Sequence, residues 1–297
     1  MSKLQVAVRL KMSLGESPIW DHRSNLLHWI DIHEGRIHTW NPKFSASVSS
    51  TRLPERIGCI ALGSSNRFVA ATDSGVWLLD NSLSQERVLA ANSEWQDGAG
   101  NRFNDGAVDA SGRLWVGTID REESEPTAAL YCLDGEELSR AKGGLAISNG
   151  VAFSPDGEWL YHTDSLQRKV VRHRLGIPEG AVGEAEPWID LSQWDLPGVV
   201  DGAAVDRAGR YWCALYGGGR IACFESTGEL LGTYELPCPY PTMVTFGGKD
   251  LATLFVTTAR QHLTPDEAVS YPLSGSLFAM PVSVPGLQQN EFAVAES

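Results

Sequence analysis

Four oxygen-bearing side chains, Glu16, Asn104, Asn149 and Asp201, each stand five residues ahead of a short polar turn, the turns opening at Asp21, Asp109, Ser154 and Asp206. Gly58 before Gly63 and Thr242 before Gly247 hold the same offset in two further segments. If these six positions face one another, two carboxylates and two amides make an oxygen-rich site of the kind hard divalent cations prefer. Glu16 and Asp201 would neutralise such an ion, and Asn149 would add a carbonyl oxygen without charge. Without a cation, two carboxylates packed together push one pKa sharply upward.

Arg102 lies two residues before Asn104, on the same face of an extended segment, where a guanidinium could hold a polar substrate by several hydrogen bonds. Asp105 flanks the site with its side chain expected to face away from that of Asn104. Glu122 falls in a charged loop, DREESE (120–125), which by composition reads as solvated. His28, His33 and His38 are five apart, with no HExxH, so they read as strand and turn residues rather than zinc ligands. His162 reads as a core or surface residue. The triple glycine at 217–219 follows a strand instead of opening a helix, and no GxSxG elbow occurs.

The elements that must position these groups are legible as a repeat. Segments 17–32, 57–73, 104–119, 148–164, 201–216 and 242–258 each run from an apolar stretch through a four-residue turn rich in Asp, Gly, Ser or Asn to a second apolar stretch. That is a hairpin signature, and helical periodicity is hard to find. The aligned positions are 42, 46, 45, 52 and 41 residues apart, a propeller-sized period, and six units fill the chain. The expectation is an all-β, six-bladed β-propeller, one domain over residues 1–297, whose innermost strands line a central channel. The net charge of −13, with 24 Lys+Arg against 37 Asp+Glu, argues against nucleic acid or an anionic membrane as partner. No run is apolar and long enough for a signal peptide or a transmembrane helix, and five cysteines without CxxC suggest free thiols; a cytoplasmic location is expected. A closed ring has no sheet edge that demands a partner, so monomer is the expected state.

The segments LGESPIWD, NRFNDGAVDASGRLWVGT, ISNGVAFSPDG, DGAAVD, YGGGRI and FGGKDLATLFVTTAR together resemble the SMP-30/gluconolactonase/regucalcin-like family, in order and over nearly the whole chain. SYPLSGSLFAMPV is closer to the bacterial sugar-lactonase branch. The resemblance implies a six-bladed propeller with one divalent metal in its channel that hydrolyses sugar lactones, such as glucono-, galactono-, xylono- or arabinonolactone, to aldonic acids. It implies Glu16, Asn149 and Asp201 as metal ligands, Arg102 and Asn104 as substrate contacts, and Glu122 as a further contact in a loop that departs from commoner sequences. A metal would polarise the carbonyl, with Asp201 as general base and a water activated by the ion itself as its competitor. Carboxylate and amide oxygens accept Ca²⁺, Zn²⁺, Mn²⁺, Mg²⁺ or Fe²⁺ alike. Two alternatives stand beside this reading: a calcium-dependent aryl-ester or organophosphate hydrolase on the same propeller, and a non-catalytic calcium-binding propeller.

Overall fold

In the computed structural model, which describes residues 3–44, 47–96, 98, 100–176 and 182–295, each polar turn joins the first two strands of a four-stranded antiparallel sheet, and there are six such sheets. Their innermost strands are Gly15–Asp21, Ile57–Gly63, Arg102–Val108, Ser148–Phe153, Val199–Val205 and Pro241–Gly247, and they define blades 1 to 6. Each packs against the next, and that of blade 6 returns to that of blade 1, which closes a ring. Blade 3 therefore lies across the channel from blade 6, and blade 1 from blade 4. The outermost strand of blade 6 comes from the other end of the chain: Gln5–Val8 pairs with Leu277–Pro281, with Gln5 opposite Ala279. That closure leaves no signature in the sequence, because four residues are too few to show a pattern.

The inner strands are covered on both faces by neighbouring blades, so outside the polar positions at one end of the channel they read as apolar runs without alternation; every residue of Ile57–Gly63 is buried. Trp29, Trp115, Tyr211 and Phe224 fill the space between sheets and are fully buried. All five cysteines are free and buried. Two short helices, Ser93–Gln96 and Pro265–Ser270, escape a search for helical periodicity through their length, although Thr264 and Glu267 form a capping box at the second. No helix among the described residues is long and apolar enough to cross a membrane.

The turn aspartates hold the hairpins. Asp206, fully buried, accepts from the backbone N–H of Ala208 (2.9 Å) and Arg210 (3.0 Å) and from the Trp212 indole (3.0 Å). Asp109 repeats this with Ser111, Arg113 and Trp115. Asp206→Ala strands three donors and is expected to cost about 3 kcal/mol, read as a lower urea midpoint at unchanged slope. Asp206→Asn, which keeps one acceptor oxygen for the backbone but turns an amide N–H on the indole, is expected to cost about half as much.

The far end of the channel is closed by the C-terminal segment. Leu287 N–H bonds to Val205 O, Trp20 N–H to the Gln289 side chain, Asn290 to Val108 O and Phe292 N–H to Leu62 O, so this one segment ties blades 5, 1, 3 and 2 together. Between it and the functional end lies a cavity of about 260 Å³ whose lining mixes Ile19, Ile60, Val151 and Met243 with Ser17, Thr245, Gln289 and Asn290.

Candidate functional site

All six innermost strands lose ladder register at the same depth: between Glu16 and Ile19, Ile57 and Cys59, Phe103 and Gly106, Asn149 and Ala152, Val200 and Ala203, and Pro241 and Val244. A bulge re-aims the side chain beside it and bends its strand. Six bulges at one level are what bring the sequence-aligned positions to one end of the channel. Neighbouring blades pin them. Ser17, at φ 46°, exchanges hydrogen bonds with Ile60 of blade 2. Gly150, at φ 65°, accepts at its carbonyl from the Tyr211 hydroxyl (3.0 Å), and a Cβ there would fall 2.5 Å from that hydroxyl oxygen.

Glu16, Arg102, Asn104, Asn149 and Asp201 line one polar cavity at this end, so the structure brings together five of the six site residues read from the sequence. Arg102 and Asn104 share a face as expected: Arg102 Nη1 donates to Asn104 Oδ1 (2.8 Å). Asn104 Nδ2 donates to Asn149 Oδ1 (2.8 Å), Asn149 Nδ2 to Ser165 Oγ (3.0 Å), and Ser165 Oγ to Val200 O (2.7 Å). This relay fixes both amides the same way round. Asn149 Oδ1 keeps a second lone pair for another partner. Thr242, at the sixth position, spends its hydroxyl on Gly15 O and Thr257 and stays out of the cavity.

The electrostatics are those of a site built for added positive charge. Glu16 keeps an opening into the cavity but lies deep in the protein; burial, then the charges of Asp201 and Asp105, push its carboxyl well above the ordinary range. Burial and the Asp105 charge do the same to Asp201. Among the described residues neither has an ion-pair partner. Asp105 does turn from Asn104, toward blade 4, where Oδ2 accepts from Val151 N–H (2.8 Å); Oδ1 has no hydrogen-bond partner among the described residues, and burial raises the pKa of Asp105 to about 6. Arg102 is buried with no carboxylate paired to it among the described residues, and desolvation followed by the nearby Arg56 charge lowers its pKa. Two carboxyls with raised pKa and no ion-pair partner among the described residues, beside an oriented amide oxygen, fit a hard divalent cation that would draw both into their charged form. Among the described residues no three His, Cys, Asp or Glu side chains converge on one point, and His28, His38 and His162 are buried strand residues.

Glu122 is placed elsewhere: its side chain is 79% exposed, beside Arg121 at 3.7 Å. Its neighbour Glu123 lines the cavity instead. The loop winds around Asp120, whose carboxylate accepts from the N–H of Glu122, Ser124 and Glu125, and Glu123 takes φ 56°. That winding turns the first glutamate out and the second in, which two adjacent identical residues give no pattern to foretell. Ser165, Tyr216, Gln261 and His262 also line the cavity and do not stand out in the sequence, since no shared spacing ties them to the ring positions.

Residues 14–260 match the model of the SMP-30/Gluconolactonase/LRE-like region. Over 291 residues the chain is 38% identical to 6-deoxy-6-sulfogluconolactonase of Pseudomonas putida, covering 98% of each. It is 31% identical to regucalcin of Oryctolagus cuniculus over 93% of each chain. The crystal structure of a calcium-binding protein, regucalcin, from Agrobacterium tumefaciens superposes with a TM-score of 0.91 over 97% of each chain, at 29% identity.

Proposed function

The chain belongs to the SMP-30/gluconolactonase/LRE-like family, and from that premise we propose that it is a metal-dependent sugar lactonase, opening an aldonolactone to its aldonic acid. One observation supports this most: Glu16, Asn149 and Asp201 converge from three blades beside an unpaired, buried Arg102 that is hydrogen-bonded to Asn104. The relative from Pseudomonas putida is named for a sulfonated gluconolactone, and a sugar lactone is the substrate class that such a polar cavity suits.

Glu16, Asn149 and Asp201 would hold the divalent cation, which when bound supplies Lewis-acid polarisation of the lactone carbonyl. Arg102 and Asn104 hold ring and hydroxyl oxygens so that the carbonyl carbon sits within reach of water. Asp201 accepts a proton from that water as its oxygen bonds to the carbonyl carbon. The proton passes to the ring oxygen as the carbon–oxygen bond breaks. The acid then ionises, so each turnover releases one proton. Before a cation is bound, burial and the Asp105 charge hold the carboxyl of Asp201 well above its ordinary range; a bound cation would draw it back down.

The test follows proton release from glucono-, galactono-, xylono- and arabinonolactone and from the 6-deoxy-6-sulfo analogue, after stripping the protein with chelator and adding back single ions. Acid release that needs an ion is the expected result. Tight ion binding without acid from any lactone overturns the reading. In that case, turnover of aryl esters or organophosphates would point to the related hydrolase, and turnover of neither to a calcium-binding propeller.

A further inference from the structure

The cavity has two walls. Blade 3 supplies Arg102, Asn104 and Glu123; across the channel, the loop of blade 6 supplies Gln261 and His262, with Tyr216 of blade 5 beside them. Asp201 and Asn149 are 8% and 5% exposed, whereas His262 is open at the mouth. A lactone whose carbonyl reaches Asp201 has the rest of its ring toward the mouth, where His262, Gln261 and Glu123 stand.

The hydrogen bonds around Tyr216 define what His262 offers. Gln261 Nε2, a donor only, gives its hydrogen to Tyr216 Oη (3.0 Å), and Tyr216 Oη lies 3.0 Å from His262 Nδ1. Where the phenol donates to Nδ1, the neutral ring carries its hydrogen at Nε2. That N–H has no protein partner among the hydrogen bonds of the described residues. The ring is held edge-on by Tyr216 and Tyr240, with centroids at 6.0 and 6.1 Å. His262 also stands at φ 62°, where an L side chain costs backbone energy that glycine would not. The chain keeps an imidazole where glycine would fit its backbone better.

We propose that His262 is a specificity-determining residue, its Nε2–H donating to an oxygen on the exocyclic carbon of the lactone, as a hydroxyl or as the oxygen of an anionic group in its place. Tyr216 is a positioning residue that fixes the tautomer and the ring plane. The inference rests on the lactonase reading and adds the part of the substrate that is selected.

The test compares wild type, His262→Gly and Tyr216→Phe on gluconolactone, 6-deoxygluconolactone and 6-deoxy-6-sulfogluconolactone, with thermal unfolding alongside. His262→Gly is expected to raise KM about 3- to 10-fold for gluconolactone, and about 10- to 100-fold if the sulfonate is the natural acceptor, with the change confined to substrates that carry the oxygen. Its kcat should move far less than KM, and its Tm should hold or rise because glycine relieves the backbone. Tyr216→Phe is expected to show the same substrate pattern at smaller size. The larger effect, on hydroxyl or sulfonate, tells which oxygen His262 serves. An active wild type with equal KM changes on all three substrates, or none, overturns this inference alone. No acid from wild type on any lactone overturns it together with the lactonase reading.

Discussion

Asp201→Asn is expected to lower kcat for lactone hydrolysis by about 10²- to 10⁴-fold even at saturating cation, the loss assigned to a missing general base. Asparagine has the same shape and keeps an amide oxygen toward the channel, so cation affinity falls with the lost charge, as in Glu16→Gln, and saturating ion restores occupancy. What it loses is the capacity to take a proton. Glu16→Gln is the contrasting variant: it removes one of the two carboxylates without touching the proposed base, and is expected to weaken cation binding first, with kcat recovering at saturating ion. Calorimetric titration of each ion beside steady-state kinetics separates the two. If Asp201→Asn retains kcat within a few-fold, the base is not Asp201, and activation of water by the ion itself takes its place in the mechanism. If both variants lose only ion affinity, the two carboxylates serve as ligands and nothing more.

What a sequence of this kind makes legible depends on where each residue sits relative to a repeated constraint. The inner hairpins carry their pattern in plain view, since both faces of a strand such as Ile57–Gly63 are buried and the turn aspartates recur. Outer strands such as Val48–Arg52 and Val182–Asp190 are largely exposed and polar, and have no such signature. Glu16, Asn149 and Asp201 align on the repeat alone because the bulge falls at one register in every blade, though the bulge itself has no sequence mark. The sequence points to Glu122 where the cavity takes Glu123, because the direction of a side chain in loop 120–127 is set by how the backbone wraps Asp120, not by spacing. Tyr216 and His262 come from different blades and meet only in three dimensions. The C-terminal lacing is unreadable for another reason: its contacts go mostly to backbone groups, which every residue offers.

A divalent cation at saturating concentration is expected to raise the melting temperature of the chelator-treated protein by about 5–10 °C, and to do so more at pH 8 than at pH 5. The size follows from mass action: an ion at a hundred times its Kd, bound only by the folded state, adds about 2.7 kcal/mol. The pH dependence follows from three carboxyls. Burial first, then the charges of Asp201 and Asp105 on Glu16 and of Asp105 on Asp201, raise those two carboxyls well above their ordinary values, and burial raises Asp105 to about 6. For groups whose folded pKa exceeds the unfolded one, the stabilising contribution is complete below the unfolded value and is lost as pH climbs through the folded value. The metal-free protein should therefore weaken from about pH 4 toward neutrality, Asp105 alone accounting for about 2–3 kcal/mol. A cation reverses this, because it neutralises the charges whose repulsion costs stability and binds better once its ligands have lost their protons. Glu16→Gln removes one of the repelling charges along with a ligand. It should be more stable than wild type in chelator at pH 8, and should lose most of the ion-induced rise. Scanning calorimetry at the two pH values, with and without each ion, checks both signs at once. An ion-induced rise that Glu16→Gln leaves intact would place the cation away from this ring.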